Sequence, residues 1–349
     1  MGSNTMISKG LFGKSYLQIE TRETPVSLVS ERHVVVKVEA CGICGTDLNF
    51  LRDLKGDTVP LGHEIAGEVI ETGDLVTAVK PGDKVVVEDC SMCGMCSDCK
   101  NRRPDLCSNM VYIEDQPGIG QYMSVRDISV VKYQGMDAVT ASLTEPLAVS
   151  LTAVLNARIP LGGSVVVLGA GPLGLMAAML ARLQGASFVG ITNLPGDDER
   201  ERARIRLAER LGCDLVLEVG KQSVTDEVLS RFPNGVDRVI GSAPPKSLYD
   251  ALEIIGYGGI ITYFGLDLGG RSKIELDIND MIYRKITLVP TFAAPALYFP
   301  RSLSLLRDGL IDAEQIITHT FSFEEARHAL QGMVECSLPA VKAVILPNS

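Results

Sequence analysis

The run Val165-Val-Val-Leu168 ends directly in Gly169-Ala-Gly171-Pro172-Leu173-Gly174, and small residues follow at Ala177, Ala178 and Ala181. Such a glycine pattern is weak alone. Between a run of branched apolar residues and a segment with a small-residue face, it predicts a strand, a tight turn and a helix in immediate succession. Gly169 permits the turn, Gly171 lets the main chain approach a pyrophosphate, and Gly174 lets the helix pack close to the strand. The helix amino end then offers amide donors and its dipole to phosphate oxygens.

The sequence around this unit fits a doubly wound parallel sheet, because apolar runs alternate with helical patterns. Strands are expected at Ser164–Leu168, Ser187–Thr192, Leu215–Leu217, Val236–Ile240, Gly259–Phe264 and Thr287–Val289. Helices fit between them at Pro172–Gln184, Asp198–Leu211, Val224–Arg231, Pro245–Ile254 and Asp277–Tyr283. Beyond Pro290 come helices around Arg301–Asp308 and Phe323–Met333 and a last strand, Val341–Ile345. No charge interrupts Ile159–Ala181, a length that would suit a membrane span. Its five glycines and two prolines fit a strand, turn and buried helix better.

Upstream of Leu151 the texture is different. Short β-type runs at His33–Glu39, Ile65–Ile70 and Lys84–Glu88 are separated by turns such as Lys80-Pro-Gly-Asp83, which is antiparallel chemistry consistent with a small barrel. At 349 residues the chain exceeds one ordinary core, so two domains are expected. A net charge of −10 offers no basic surface for nucleic acid. The amino terminus MGSNTM has no charged head leading into an apolar run, so no secretory signal is expected and the chain reads as cytoplasmic, without a membrane partner.

Nine cysteines are many for a reducing compartment, and five of them lie between Cys90 and Cys107. That clustering indicates metal rather than a disulfide framework. Cys93, Cys96, Cys99 and Cys107 have the spacing of four thiolates around one tetrahedral zinc. A site with four protein ligands has no open position, so this zinc is structural; Cys90 stands just outside the pattern. A second, dispersed set comprises Gly42-Ile-Cys44-Gly-Thr46-Asp47, Gly62-His63-Glu64 and Glu145-Pro-Leu147. A thiolate, an imidazole and a carboxylate can hold zinc with a position left open, although spacing alone does not establish it.

In this order, GICGTD, GHE, the four-cysteine lobe, EPL and VVLGAGPLG resemble the zinc-containing medium-chain dehydrogenase/reductase family over essentially the whole chain. The resemblance implies a GroES-like β-barrel catalytic domain over 1–150 with its zinc lobe at 90–107, a Rossmann domain over 151–289, and a return to the catalytic domain over 290–349, with the active site in the cleft between domains. It implies Cys44 and His63 as ligands of a catalytic zinc. Glu145 stands where polyol-type members carry glutamate and ethanol-type members cysteine, and Glu64 ligates directly or from behind. Cys41 is expected to be unligated, and Asp47 to orient the ligand loop. Zinc lowers the pKa of an alcohol hydroxyl; Thr46 matches the residue that passes the proton onward, and the carbinol hydride goes to nicotinamide. Many relatives carry histidine two residues beyond Asp47, where this chain has Asn49.

Glu145 and the EPLAVSLTAV stretch look like the sorbitol, threonine and sugar dehydrogenase branch. The expected reaction is oxidation of a secondary alcohol of a polyol or sugar to a ketone or lactone, with two zinc ions per chain and a dimeric or tetrameric assembly. A threonine-type amino-alcohol dehydrogenase and a zinc-binding thiol redox or binding protein without turnover are the alternatives. Phe292, Tyr298 and Phe299 either line the pocket or pack between domains. For the cofactor, Asn193 ends the second Rossmann strand where NAD-preferring members carry Asp or Glu. Arg200 and Arg204, four apart on a helix, share a face and could reach a 2′-phosphate. Asp197 and Asp198 oppose one, which leaves only a slight lean toward NADP, and NAD stays open.

Overall fold

In a computed structural model, which describes residues 5–113 and 115–349, Ser164–Leu168 lies inside a six-stranded sheet. The order is Leu215–Glu218, Phe188–Asn193, Ser164–Leu168, Val236–Gly241, Ile255–Tyr263 and Thr287–Pro290, every pair parallel. Counted along the chain this is the order 3-2-1-4-5-6, the doubly wound sheet expected from the alternating pattern. Val166, Leu168, Val239 and Ile261 from the strands meet Val224, Val228, Leu248 and Ala251 from the helices in one apolar core.

The expected helix over Asp198–Leu211 forms as Glu199–Arg210, and its two predicted end residues are the caps. Asp198 accepts from the Glu201 amide at 2.9 Å. The fifth strand differs most: it starts at Ile255, not Gly259. Gly256, Gly258 and Gly259 hide the strand pattern there, and the register shifts between Val236 and Arg238. The uncharged stretch resolves into the strand Ser164–Leu168 and the helix Pro172–Leu183. Among the described residues no helix is long and apolar enough to cross a membrane. Residues 1–4, which hold most of MGSNTM, lie outside the described residues.

This sheet belongs to a unit comprising residues 149–292 and 338–341. The other unit comprises residues 1–148, 293–337 and 342–349. Its larger sheet runs Val130–Lys132, Lys84–Val87, Glu64–Thr72, His33–Gly42, Lys342–Leu346, Ile317–Ser322, with Tyr122–Arg126 also on His33–Gly42. All pairs are antiparallel except the last, Ile317–Ser322 with Lys342–Leu346. A smaller sheet joins Gln18–Val26, Met6–Lys14 and Val59–Pro60. The strand Lys342–Leu346 pairs Val344 with Gly42 and Ile345 with Cys41, which carries the end of the chain to the cysteine loop. Phe299 packs with Ala66, Val86, Tyr133 and Ala148 in the core of this unit, whereas Tyr298 and Phe292 are exposed.

Candidate functional site

Cys44 is the residue before the helix Gly45–Asp53, and its extended backbone turns the chain out of the strand His33–Gly42. Its sulfur accepts from the Thr46 amide at 3.5 Å, and Asp47 reaches back to the Cys44 amide at 2.9 Å. These two contacts satisfy free amides of the first helical turn. Asp47 is 1% exposed and does more than cap. Its other oxygen accepts from the Gly62 amide at 2.8 Å and lies 3.9 Å from His63 Nδ1. One carboxylate thus fixes the cysteine loop and the histidine loop together.

The thiol of Cys44, an imidazole nitrogen of His63 and a carboxylate oxygen of Glu64 all lie within 4.8 Å of one another. Glu64 opens the strand Glu64–Thr72, and its register partner is Gly42. A Cβ at Gly42 would collide with the Glu64 carboxylate, so glycine is what lets the acid lie against the strand. Behind Glu64 stands Lys342, which ion-pairs with it and also donates to the Ile43 carbonyl at 2.9 Å. Burial alone would lower the His63 pKa; Cys44, Asp47 and Glu145 outweigh it and raise it well above the ordinary value. Soft sulfur, imidazole and carboxylate on one small volume are the donor set of a zinc site with an open position.

Glu145, in the first turn of the helix Thr144–Ala157, is not one of that group of three. Burial pushes its pKa up to about 8, with Asp89 and Glu64 adding to the rise and His63 opposing it. It is therefore a half-buried neighbour of the three. Thr46, the second residue of the helix and two beyond Cys44, is partly exposed. The Asn49 side-chain oxygen accepts from Arg52. Cys41 is buried and donates to the Gly42 carbonyl at 3.6 Å, apart from the group. Sequence reasoning missed Lys342 and Asp89, each a lone charged residue without a motif.

Cys93, Cys96, Cys99 and Cys107 bring their sulfurs within 4.8 Å of one another. The Cys93 sulfur accepts from the amides of Met95 and Cys96 at 3.4 and 3.3 Å, and Cys107 accepts from the Cys93 amide at 3.4 Å. Main-chain hydrogen bonds from Cys99 and Ser108 lower the Cys96 pKa to about 6. Such donors stabilise thiolates and suit a closed four-sulfur cage. Cys90 takes no part; it is buried, with its sulfur 3.4 Å from that of Met110.

In the other unit, Gly171 precedes the helix Pro172–Leu183, with Pro172 at its first position. Leu173 gives its carbonyl to Ser150 at 3.0 Å. A Cβ on Gly174 would collide with the Gly169 carbonyl, whereas one on Gly171 would meet open space. The turn is therefore tight on its inner side and free on the side a phosphate would approach. Asn193 is 4% exposed, and its amide donates to the carbonyls of Leu194 and Glu201 at 2.9 and 3.3 Å. Arg200 and Arg204 do share a face, but both close on the buried Glu201, at 3.1 and 2.9 Å. That acid holds the two guanidinium groups the sequence offered to a phosphate.

The family description "Alcohol dehydrogenase GroES-like domain" matches residues 30–135, and "Zinc-binding dehydrogenase" matches residues 172–308. A sorbitol dehydrogenase of Bacillus subtilis is 28% identical over 343 residues, covering 95% of both chains. An L-threonine 3-dehydrogenase of Bacillus velezensis is 30% identical over 87% of this chain and 89% of its own. Among solved structures, one from Sinorhizobium meliloti, described as a zinc-binding dehydrogenase and bound to NADP, superposes with a TM-score of 0.85 at 29% identity. It covers 98% of this chain and 100% of its own. With both domain families matched in order and the relatives spanned almost end to end, the chain belongs to the zinc-containing medium-chain dehydrogenase/reductase family and is a zinc-dependent, NAD(P)-linked alcohol dehydrogenase.

Proposed function

We propose that this enzyme oxidises a secondary alcohol of a polyol or sugar to a ketone or lactone at the centre formed by Cys44, His63 and Glu64. The observation that carries this reading is the convergence of one thiol, one imidazole and one carboxylate within 4.8 Å, with Glu145 half-buried beside them. Cys44, His63 and Glu64 would hold a zinc ion, which would supply the Lewis acidity that lowers the pKa of an alcohol hydroxyl, with nicotinamide as the hydride acceptor. Asp47 holds the two ligand loops in register. Thr46 receives the hydroxyl proton and passes it toward solvent, since Asn49 cannot titrate. Glu145 acts beside the three ligands, by way of a water, as a carboxylate outside the group of three would.

The four-cysteine lobe holds a second, structural zinc, so each chain carries two. Residues 1–150 and 290–349 act as the catalytic GroES-like domain, and 151–289 bind the dinucleotide through Gly169, Gly171, Pro172, Leu173 and Gly174. The cofactor is NADP or NAD; the NADP-bound structure from Sinorhizobium meliloti speaks for NADP, whereas the closure of Arg200 and Arg204 on Glu201 speaks against it. The chain works in the cytoplasm as a dimer or tetramer. Relatives named sorbitol dehydrogenase and L-arabinitol 4-dehydrogenase, each 28% identical, support the polyol class. The L-threonine 3-dehydrogenases at 30% keep amino alcohols in the comparison. The test is a panel of neutral polyols, sugars and amino alcohols with both cofactors, followed by absorbance of the reduced nicotinamide. Turnover confined to amino alcohols, or absent from the whole panel, overturns the polyol reading.

A further inference from the structure

The strand Glu64–Thr72 pairs antiparallel with Lys84–Val87, matching Ala66 to Val86 and Ile65 to Val87. The pairing ends at Ile65 with Val87; Glu88 and Asp89 continue the chain just beyond Val87, as Glu64 and His63 lie just before Ile65. The chain is anchored on both sides of this point. The Glu88 amide donates to the Ser129 carbonyl at 2.8 Å, the Asp89 carbonyl accepts from Ile113 at 3.1 Å, and the Cys90 carbonyl accepts from Ala296 at 2.6 Å. Burial raises the Asp89 pKa, with His63 and the Asp89 and Cys90 amides opposing the rise, and Asp89 in turn helps to raise that of Glu145.

The acids around the centre are not equivalent. Glu64 has Lys342 as its cation, whereas among the described residues no lysine, arginine or histidine forms an ion pair with Asp89. Asp89 also lies outside the three-residue ligand group. It is thus an acid outside any ion pair, whose one nearby cation, His63, is shared with Asp47 and Glu145, and it lies beside the ligands rather than among them. A carboxylate without an ion-pair partner in a partly buried wall accepts hydrogen bonds from hydroxyl donors and repels like charge, because screening there is weak.

We propose that Asp89 determines substrate charge at this centre, accepting hydrogen bonds from the hydroxyls flanking the reacting carbinol and excluding substrates that carry a carboxylate or phosphate near it. The preferred class is then neutral polyols over aldonates and sugar phosphates. This rests on the polyol reading of the same centre. Negative selection of this kind works by placing an unfavourable charge against the wrong ligand.

The test compares wild type and Asp89→Asn, both zinc-loaded, on one neutral polyol and the aldonate of the same carbon skeleton. kcat and KM are read separately, and polyol binding to the enzyme with bound cofactor is read by calorimetry. Asparagine keeps the shape and removes the charge. For the neutral polyol, Asp89→Asn should raise KM and the dissociation constant about tenfold, as loss of a charge-assisted hydrogen bond does, with kcat less affected. For the aldonate, kcat/KM should rise by a similar factor, at unchanged zinc content. Equal changes for both substrates, or a wild type that already prefers the aldonate, overturn the inference while leaving polyol oxidation standing. A wild type inactive on every neutral and anionic polyol overturns both.

Discussion

Lys342 and Glu64 are an ion pair with almost no contact with water: the lysine is 2% exposed and the glutamate 1%. Burial disfavours the charged amine, but Glu64 and Cys44 outweigh it and hold the Lys342 pKa above the usual lysine range. The pair ties the strand Lys342–Leu346 to the strand carrying Glu64, across nearly the whole length of the chain. Removing one partner of a buried pair leaves the other charge uncompensated and typically costs about 3–5 kcal/mol. Lys342→Met should therefore destabilise the protein by about 3 kcal/mol in denaturant titration and speed zinc loss to a chelator. A variant with wild-type stability and metal retention would show that the pair carries no weight.

The cysteine lobe makes a separable prediction. Four sulfurs within 4.8 Å are a cage whose metal-binding energy is folding energy. Cys96→Ser or Cys99→Ser should lower Tm and soluble yield and reduce bound zinc from two ions to one. His63→Ala should instead abolish turnover and leave Tm close to wild type, because Asp47 still braces both loops through the amides of Cys44 and Gly62. Metal analysis of freshly purified wild type decides the premise; a single zinc per chain contradicts it.

Glu145 gives a graded outcome. As a half-buried carboxyl beside the ligand group, it should cost about tenfold or more in kcat/KM when replaced by alanine, the usual scale for a residue supporting a metal site. Zinc content should fall less than in His63→Ala. Kinetics and metal content both equal to wild type would remove Glu145 from the centre.

The dispersed centre shows how far the sequence could be read. The cysteine lobe and the glycine turn were legible because each is local: spacing alone brings the groups together. Cys44, His63 and Glu64 could be picked out as a candidate set, but their convergence depends on Gly42 pairing with Glu64, a long-range register that no local pattern encodes. Lys342 and Asp89 were invisible for the same reason, since a single lysine in an apolar strand and an aspartate beside Glu88 just past the strand Lys84–Val87 carry no periodic signal. The strand Gln18–Val26 escaped because most of its residues are charged or polar and exposed, so it lacks a buried alternating face. The strand Ile255–Tyr263 was truncated at its glycines.

Glu88 predicts a pH dependence of stability. Burial raises its pKa from 4.5 to about 7, with the Ser91 hydrogen bond only partly opposing this. The folded chain then keeps a proton that the unfolded chain releases once pH passes 4.5. Stability from this group is complete below that pH and is lost as pH rises through about 7. The full effect is on the order of 3 kcal/mol, at about 1.4 kcal/mol for each pH unit of one-proton difference. Glu88→Gln, which keeps the side chain neutral, should flatten that slope. Identical pH profiles of denaturation for wild type and Glu88→Gln would contradict the assignment.

The cofactor prediction turns on Glu201, which lies between Arg200 and Arg204 on the helix Glu199–Arg210. As long as it holds both guanidinium groups, their charge is spent inside the protein rather than on a phosphate. Glu201→Gln keeps the size and removes the charge, so both arginines gain freedom to meet a 2′-phosphate. The ratio of kcat/KM for NADP to that for NAD should rise, by about tenfold if one charge-assisted contact is gained. Asn193→Asp should act in the opposite direction and at a cost in stability. Its amide donates to the carbonyls of Leu194 and Glu201, and a carboxylate would set negative oxygen against both. That variant should prefer NAD more than wild type does and melt at a lower temperature. If Glu201→Gln leaves the cofactor ratio unchanged and Asn193→Asp leaves both ratio and Tm unchanged, neither residue governs cofactor choice, and the Asn193 end of the strand Phe188–Asn193 is only a structural turn.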